Sequence, residues 1–212
     1  MPQYPIVPRQ SVLVLFDMLN GYIRPRDPER AQQIAATGVV ERCVEIMQAA
    51  RAHGMPIVYA NGSHRPGAED RARTITDTDM SIRPWPDGPR RMNVTSPAEG
   101  SFEAQVIPEL APQPQDYIFP KRRWSAFAGT PLDLLLRELG ADTILLAGGS
   151  TDVGVTATAY DAHDLGYNLV VLHDACQSVR VAAHEFCLER LFPRLARVMT
   201  VDEAIGLIQP AV

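Results

Sequence analysis

Three short stretches of this 212-residue chain carry side chains that could do chemistry. Asp17 ends an apolar run, Ser-Val-Leu-Val-Leu-Phe, at residues 11–16. A carboxylate at the end of a buried strand stands where open α/β sheets bind ligands, although an Asp there can also simply cap the next turn. Lys121 follows a second strand-like stretch and opens the segment Lys-Arg-Arg-Trp-Ser-Ala-Phe. The third stretch, residues 145–160, runs Leu-Leu-Ala-Gly-Gly-Ser-Thr-Asp-Val-Gly-Val-Thr-Ala-Thr-Ala-Tyr. It reads as strand, tight turn and helix start, the place where α/β proteins present backbone N–H groups to a ligand. Ser150, Thr151 and Asp152 are helix-capping types. Gly154 leaves the first helical turn without a side chain. Either something approaches the backbone there or a reactive group has been left out.

The elements that must position these residues alternate along the chain. Strands are expected at 11–16, 56–60, 116–120, 143–147, 168–172 and 196–201. Continuous apolar runs without a period of two mark strands covered on both faces, as in a parallel sheet. Asp27-Pro28-Glu29 has the pattern of a capped helix start, and the helix is expected to run to about His53 and stop at Gly54. Thr130-Pro131-Leu132-Asp133 opens a second helix that Gly140 closes. Residues 102–110 hold a short helix at most, 181–191 are helical, and 202–208 form a closing helix. Strands alternating with helices imply right-handed crossovers and one three-layer α/β domain over residues 1–212. Residues 61–101 are rich in Gly, Pro, Arg and Asp and have no lasting period. A stretch of that kind usually serves as a lid or a partner surface.

Composition removes several functional classes. Hydrophobic residues make up 46% of the chain, yet no apolar run reaches the roughly 20 residues that cross a bilayer. The start, Met-Pro-Gln-Tyr-Pro, lacks the layout of a signal peptide, so a cytoplasmic protein is expected. With a net charge of −5 and basic residues in pairs (Arg90 and Arg91, Arg122 and Arg123), nothing supports nucleic-acid binding. Cys43, Cys176 and Cys187 are odd in number and widely spaced, which speaks against disulfides or a zinc ribbon. The turn after residue 16 has no G-x-G-x-x-G, which disfavours a dinucleotide site.

Four segments in register resemble the isochorismatase-like hydrolase superfamily, also called the cysteine hydrolases. They are Leu-Phe-Asp17, Lys121 through Phe127, Gly148-Gly-Ser-Thr-Asp-Val-Gly154, and Ala157-Thr-Ala-Tyr-Asp-Ala followed by Gly166-Tyr and Asp174-Ala. The resemblance spans nearly the whole chain and implies a doubly wound, six-stranded parallel sheet of order 3-2-1-4-5-6. It also implies a hydrolase of small molecules, acting without a cofactor. Most members use an Asp, a Lys and a Cys. Asp17 and Lys121 match the first two, and Gly154 stands at the Cys, as it commonly does in true isochorismatases. Those enzymes, by the same resemblance, protonate a vinyl ether with the Asp and let water complete the cleavage. Whether burial or Lys121 governs the Asp17 proton is open at this level.

Around the matched pair, the resemblance implies a substrate pocket drawn from Leu19, Tyr22, His64, Trp124, Ser150, Thr151, Gly154 and Val155. Leu19 stands where isochorismatases usually have Gln, and Thr151-Asp152 follows the amidase branch. Trp85-Pro86-Asp87-Gly88-Pro89 only echoes the Trp-Gly-Pro segment of isochorismatases. Some members bind zinc near strand two through an Asp and two His; here Gly62 replaces the Asp and only His64 remains, so no metal is expected. A homodimer or higher homo-oligomer is expected, with part of the substrate site in the irregular segment. Two rivals stand beside vinyl-ether hydrolysis: a C–N amidohydrolase using another nucleophile or activated water, and a binding protein without turnover.

Overall fold

The computed structural model describes residues 4–67, 70 and 97–209. Trp85, Arg90, Arg91 and most of the irregular segment lie outside the described residues. Six strands form one parallel sheet in the order β3-β2-β1-β4-β5-β6. They are β1 (Ser11–Phe16), β2 (Ile57–Gly62), β3 (Tyr117–Lys121), β4 (Thr143–Gly149), β5 (Asn168–Gln177) and β6 (Arg197–Met199). β1, β2 and β4 are buried along their whole length, as their unbroken apolar runs require.

The sheet has a layer of helices on each face. Alternate residues of β1 serve opposite layers, because side chains along a strand point to the two faces in turn. Leu13 and Leu15 pack with Ile34 of α2 (Pro28–Ala35), with Cys43 and Ile46 of α3 (Val39–Ala52), and with Val201 and Ala204 of α7 (Val201–Leu207). Val12, Val14 and Phe16 pack on the other side with Leu132 and Leu136 of α4 (Leu132–Glu138) and Ala159 and Ala162 of α5 (Thr156–Asp164). The short helices α1 (Asn20–Ile23) and α6 (Val181–Phe186) flank the C-terminal edge of the sheet.

Several boundaries differ from the sequence expectation. The single helix expected to reach His53 is two. Thr37 Oγ1 donates to Ile34 O (2.7 Å) and accepts from Val39 N (3.2 Å), while Gly38 turns left-handed at φ +68° between α2 and α3. β5 continues past Leu172 to Gln177; after an irregularity in register, Cys176 and Gln177 pair with Gly148 and Gly149. β6 is only three residues long and half-buried at the sheet edge. The helix expected at 181–191 is α-helical to Phe186 and then widens into a π turn, Cys187–Leu191. Residues 102–110 hold two 3₁₀ turns. Starts were better marked than ends: Asp27 Oδ1 accepts from Arg30 N, and Thr200 with Glu203 forms a reciprocal cap on α7.

Candidate active site

β1 ends at Phe16, and Asp17 follows in the left-handed region at φ +54°. Asp is among the few side chains that adopt this conformation. The turn carries its carboxyl toward β2 and β3. Gly62 N–H donates to Oδ1 (2.5 Å) and Lys121 Nζ donates to Oδ2 (2.7 Å). Both oxygens of a carboxyl that is 7% exposed are therefore engaged, and Lys121 is 5% exposed. Burial pushes the Asp17 carboxyl above its ordinary value; the Lys121 ammonium, its hydrogen bond and the Gly62 N–H pull the other way without overcoming it. A buried carboxyl with a raised pKa holds its proton further toward neutral pH than an exposed one, which suits a general acid.

Gly62 makes the convergence possible. A Cβ on it would lie 3.0 Å from Asp17 Oδ1, 3.3 Å from Tyr22 Oη and 3.4 Å from Lys121 Nζ. The glycine that takes the place of a zinc-binding Asp thus admits three polar side chains to one point. His64, the remaining residue of that zinc pattern, sets its Nδ1 3.2 Å from Asp70 Oδ1. These residues do not fit a zinc site: Gly62 offers no ligand atom and the His64 ring already faces a carboxylate. Among the described residues, no three His, Cys, Asp or Glu side chains gather to hold a metal.

Of the two alternatives at Gly154, an approach to the backbone or a missing reactive group, the structure shows a close approach by a side chain of the protein itself. Parity along β1 points Phe16 to the α5 face, and its ring fills the space above Gly154. A Cβ built on Gly154 would lie 2.3 Å from Phe16 Cε1 and 2.4 Å from Cζ. The ring also carries Lys121 Nζ on its face, 4.2 Å from the centroid. An ammonium over an aromatic face is held by the ring quadrupole. Phe16 therefore supports the cation on one side and fills the position of a residue-154 side chain on the other.

The turn into α5 is tied down by its polar residues. The Gly149–Ser150 peptide is cis. Ser150 Oγ donates to Asp152 Oδ1 (2.6 Å), Ser178 Oγ donates to the same oxygen (2.7 Å), and Arg180 Nε donates to Oδ2 (2.5 Å). Burial pushes the Asp152 carboxyl up, but the bonds from Arg180, Ser150 and Ser178 hold it below the usual value. Asp152 is thus a fixed anion and does not act as a base on Ser150. Thr151 is fully buried, with Oγ1 2.9 Å from His184 Nδ1.

A cavity opens at this edge of the sheet, lined by Phe16, Asp17, Tyr22, Gly62, Lys121, Trp124, Ser150 and Gly154 among the residues named above. Leu19, His64, Thr151 and Val155 lie outside its lining. Leu19 and Val155 are wholly buried, the first in an antiparallel bridge to Val106 and the second in the core under α5. The lining also holds Arg30, Arg123, Gln177, Val179 and Arg180, which sequence reasoning missed. Gln177 and its successors reach the cavity through the extension of β5, for which the run His-Asp-Ala after Leu172 gave no signal.

Fold and site together define a doubly wound α/β hydrolase with its cavity where the strand order reverses. Residues 11–203 match the isochorismatase domain, and the chain belongs to that family of hydrolases. The uncharacterized isochorismatase family protein YwoC of Bacillus subtilis (strain 168) is 32% identical over 95% of both chains. Its counterpart YecD of Escherichia coli O157:H7 is 39% identical over 53% of this chain, a match that spans only 64% of YecD. Among solved structures, an isochorismatase family protein from Burkholderia thailandensis superposes with a TM-score of 0.78 at 29% identity, covering 97% of this chain and 98% of that one. N-carbamoylsarcosine amidase from Thermoplasma acidophilum superposes with a TM-score of 0.67 at 29% identity, covering 91% and 97%.

Proposed function

We propose that the protein hydrolyses a vinyl-ether type bond in a small molecule by acid catalysis, with no covalent enzyme intermediate. The observation that carries this reading is the Phe16 ring packed against Gly154, where the thiol-bearing relatives would place their nucleophile. The groups left at the cavity are a buried acid and a cation, which suit proton transfer. In the proposed step, Asp17 gives its proton to the vinyl carbon and an oxocarbenium ion forms. Water adds to that ion and loses a proton, which returns to Asp17, and the hemiketal collapses to a ketone and an alcohol. Lys121 and the Gly62 N–H stabilise the Asp17 carboxylate that exists between the two proton transfers.

Tyr22, Trp124, Ser150 and Gly154 are proposed to contact the substrate. The protein is proposed to work in the cytoplasm as a homodimer or higher homo-oligomer. An amidase reading draws support from the Thermoplasma neighbour and from Thr151-Asp152, and would need water activated directly at Asp17 and Lys121. Parallel assays on enol ethers and on a panel of primary amides and N-carbamoyl compounds separate the two. Turnover of enol ethers alone is expected, and turnover of amides alone would replace the reading.

A further inference from the structure

Gly149 does for Gln177 what Gly62 does for Asp17. The two residues pair in register at the ends of β4 and β5, and both line the cavity. A Cβ on Gly149 would lie 2.5 Å from Gln177 Nε2 and 3.1 Å from its Cδ, so the carboxamide rests on backbone that carries no side chain. Gln177 is 7% exposed, and its carboxamide has no hydrogen-bond partner among the described residues. It is not sealed in the interior either. Asn20 Oδ1 and Asn61 Oδ1 are unpaired and closed off, but no amide atom of Gln177 is closed off in this way, so the group opens on the cavity. Its neighbours cannot satisfy it. The Ser150 and Ser178 hydroxyls and the Arg180 guanidinium are all committed to Asp152. A nearly buried amide that makes no hydrogen bond is costly, so its place beside a cavity points to a partner that arrives with the ligand.

We propose that Gln177 is a specificity-determining residue that reads a neutral amide edge on the substrate, a primary carboxamide or a lactam. A carboxamide sets an N–H donor beside a carbonyl acceptor, and another amide edge meets both with two parallel hydrogen bonds. A carboxylate brings no donor for Oε1, and an ammonium brings no acceptor for Nε2, so either would leave half of the buried group unpaired. β5 lies two strands from β1 in the sheet, a separation of roughly 10 Å, so the amide edge is a different part of the substrate from the bond that Asp17 protonates. This inference names the substrate class for the acid-catalysed reading above. It rests on that reading only for the reaction, since binding requires no turnover.

The test is calorimetric titration of the full-length protein with benzamide and with acetophenone, which share size, shape and carbonyl but differ in the N–H donor. Benzamide is expected to bind about tenfold more tightly. Gln177→Met and Gln177→Leu should each bring the two probes to equal affinity by weakening benzamide, in variants whose circular dichroism and unfolding midpoint match the parent. Equal binding of the two probes by the parent, no benzamide binding, or a preference that survives both substitutions would overturn the assignment; the first two need no variant to fold. Benzoate binding more tightly than benzamide, with that advantage lost in Gln177→Met, would overturn the choice of a neutral group. Repeating the titration in Asp17→Asn separates this inference from the catalytic one. Lost turnover with the benzamide preference retained supports both, whereas retained turnover sinks the acid role without touching Gln177.

Discussion

Asp17 Oδ1 and Gly62 N lie 2.5 Å apart, and the contact depends on residue 62 having no side chain. A methyl group there would stand 3.0 Å from the same oxygen. Gly62→Ala is therefore expected to displace Asp17 and Lys121 by a few tenths of an ångström while leaving the fold intact. Misplacement on that scale costs on the order of 10- to 100-fold in kcat. Steady-state kinetics alongside thermal unfolding check this; a full loss of structure, or unchanged kcat, would contradict it.

The raised pKa of Asp17 gives a pH signature of definite sign. The folded state holds the Asp17 proton more tightly than the unfolded chain, whose value is near 3.8. The resulting stabilisation is complete below that value and is lost as pH rises through the folded pKa. Asp17→Asn should remove this slope above pH 3.8, which urea unfolding across a pH series can read. Activity that depends on the protonated acid should fall with rising pH along a limb displaced above the ordinary carboxyl range, and the Asn variant should have no such limb.

Removing Lys121 leaves a buried carboxyl without its cation. Lys121→Met is expected to cost about 3–5 kcal/mol at neutral pH, as broken buried pairs do. The double variant Asp17→Asn, Lys121→Met should lose clearly less than the sum of the two single changes, because neither partner is then left charged and alone. Additive losses in denaturant unfolding would mean that the pair is not coupled.

Gly154→Cys should not produce a reactive thiol. Its Cβ would meet the Phe16 ring, and overpacking of this kind costs about 1–3 kcal/mol. Slow alkylation by iodoacetamide and a lowered unfolding midpoint are expected. Adding Phe16→Val should relieve the clash and speed alkylation of the introduced thiol, as followed by mass spectrometry against the buried Cys43, Cys176 and Cys187 of the parent.

The central strands were legible because runs such as residues 12–16 and 144–147 are unbroken and apolar, as a strand covered on both faces requires, whereas the strand order came from the family resemblance. The meeting of Asp17 with Lys121 followed from that resemblance and from their places at the ends of strands that flank β2. What stayed hidden depends on register and parity. Phe16 reads as one more core residue until the alternation along β1 assigns it to the α5 face. Gln177 and Arg180 come into place because β5 pairs with Gly148 and Gly149, a tertiary match across a disturbed register that no local pattern records. Arg30 lies on a polar turn of α2 and looks like any solvated helix residue. His64 was assigned to the cavity from the resemblance alone, and its neighbour Asp70 draws it elsewhere.

The shared volume of Phe16 and Gly154 also constrains what either position can become. A chain carrying any side chain at 154 cannot accept the aromatic ring at 16 in this pose, whereas a chain with glycine there can. The two positions are therefore coupled in sequence space: a side chain enters at 154 without strain only when position 16 changes as well.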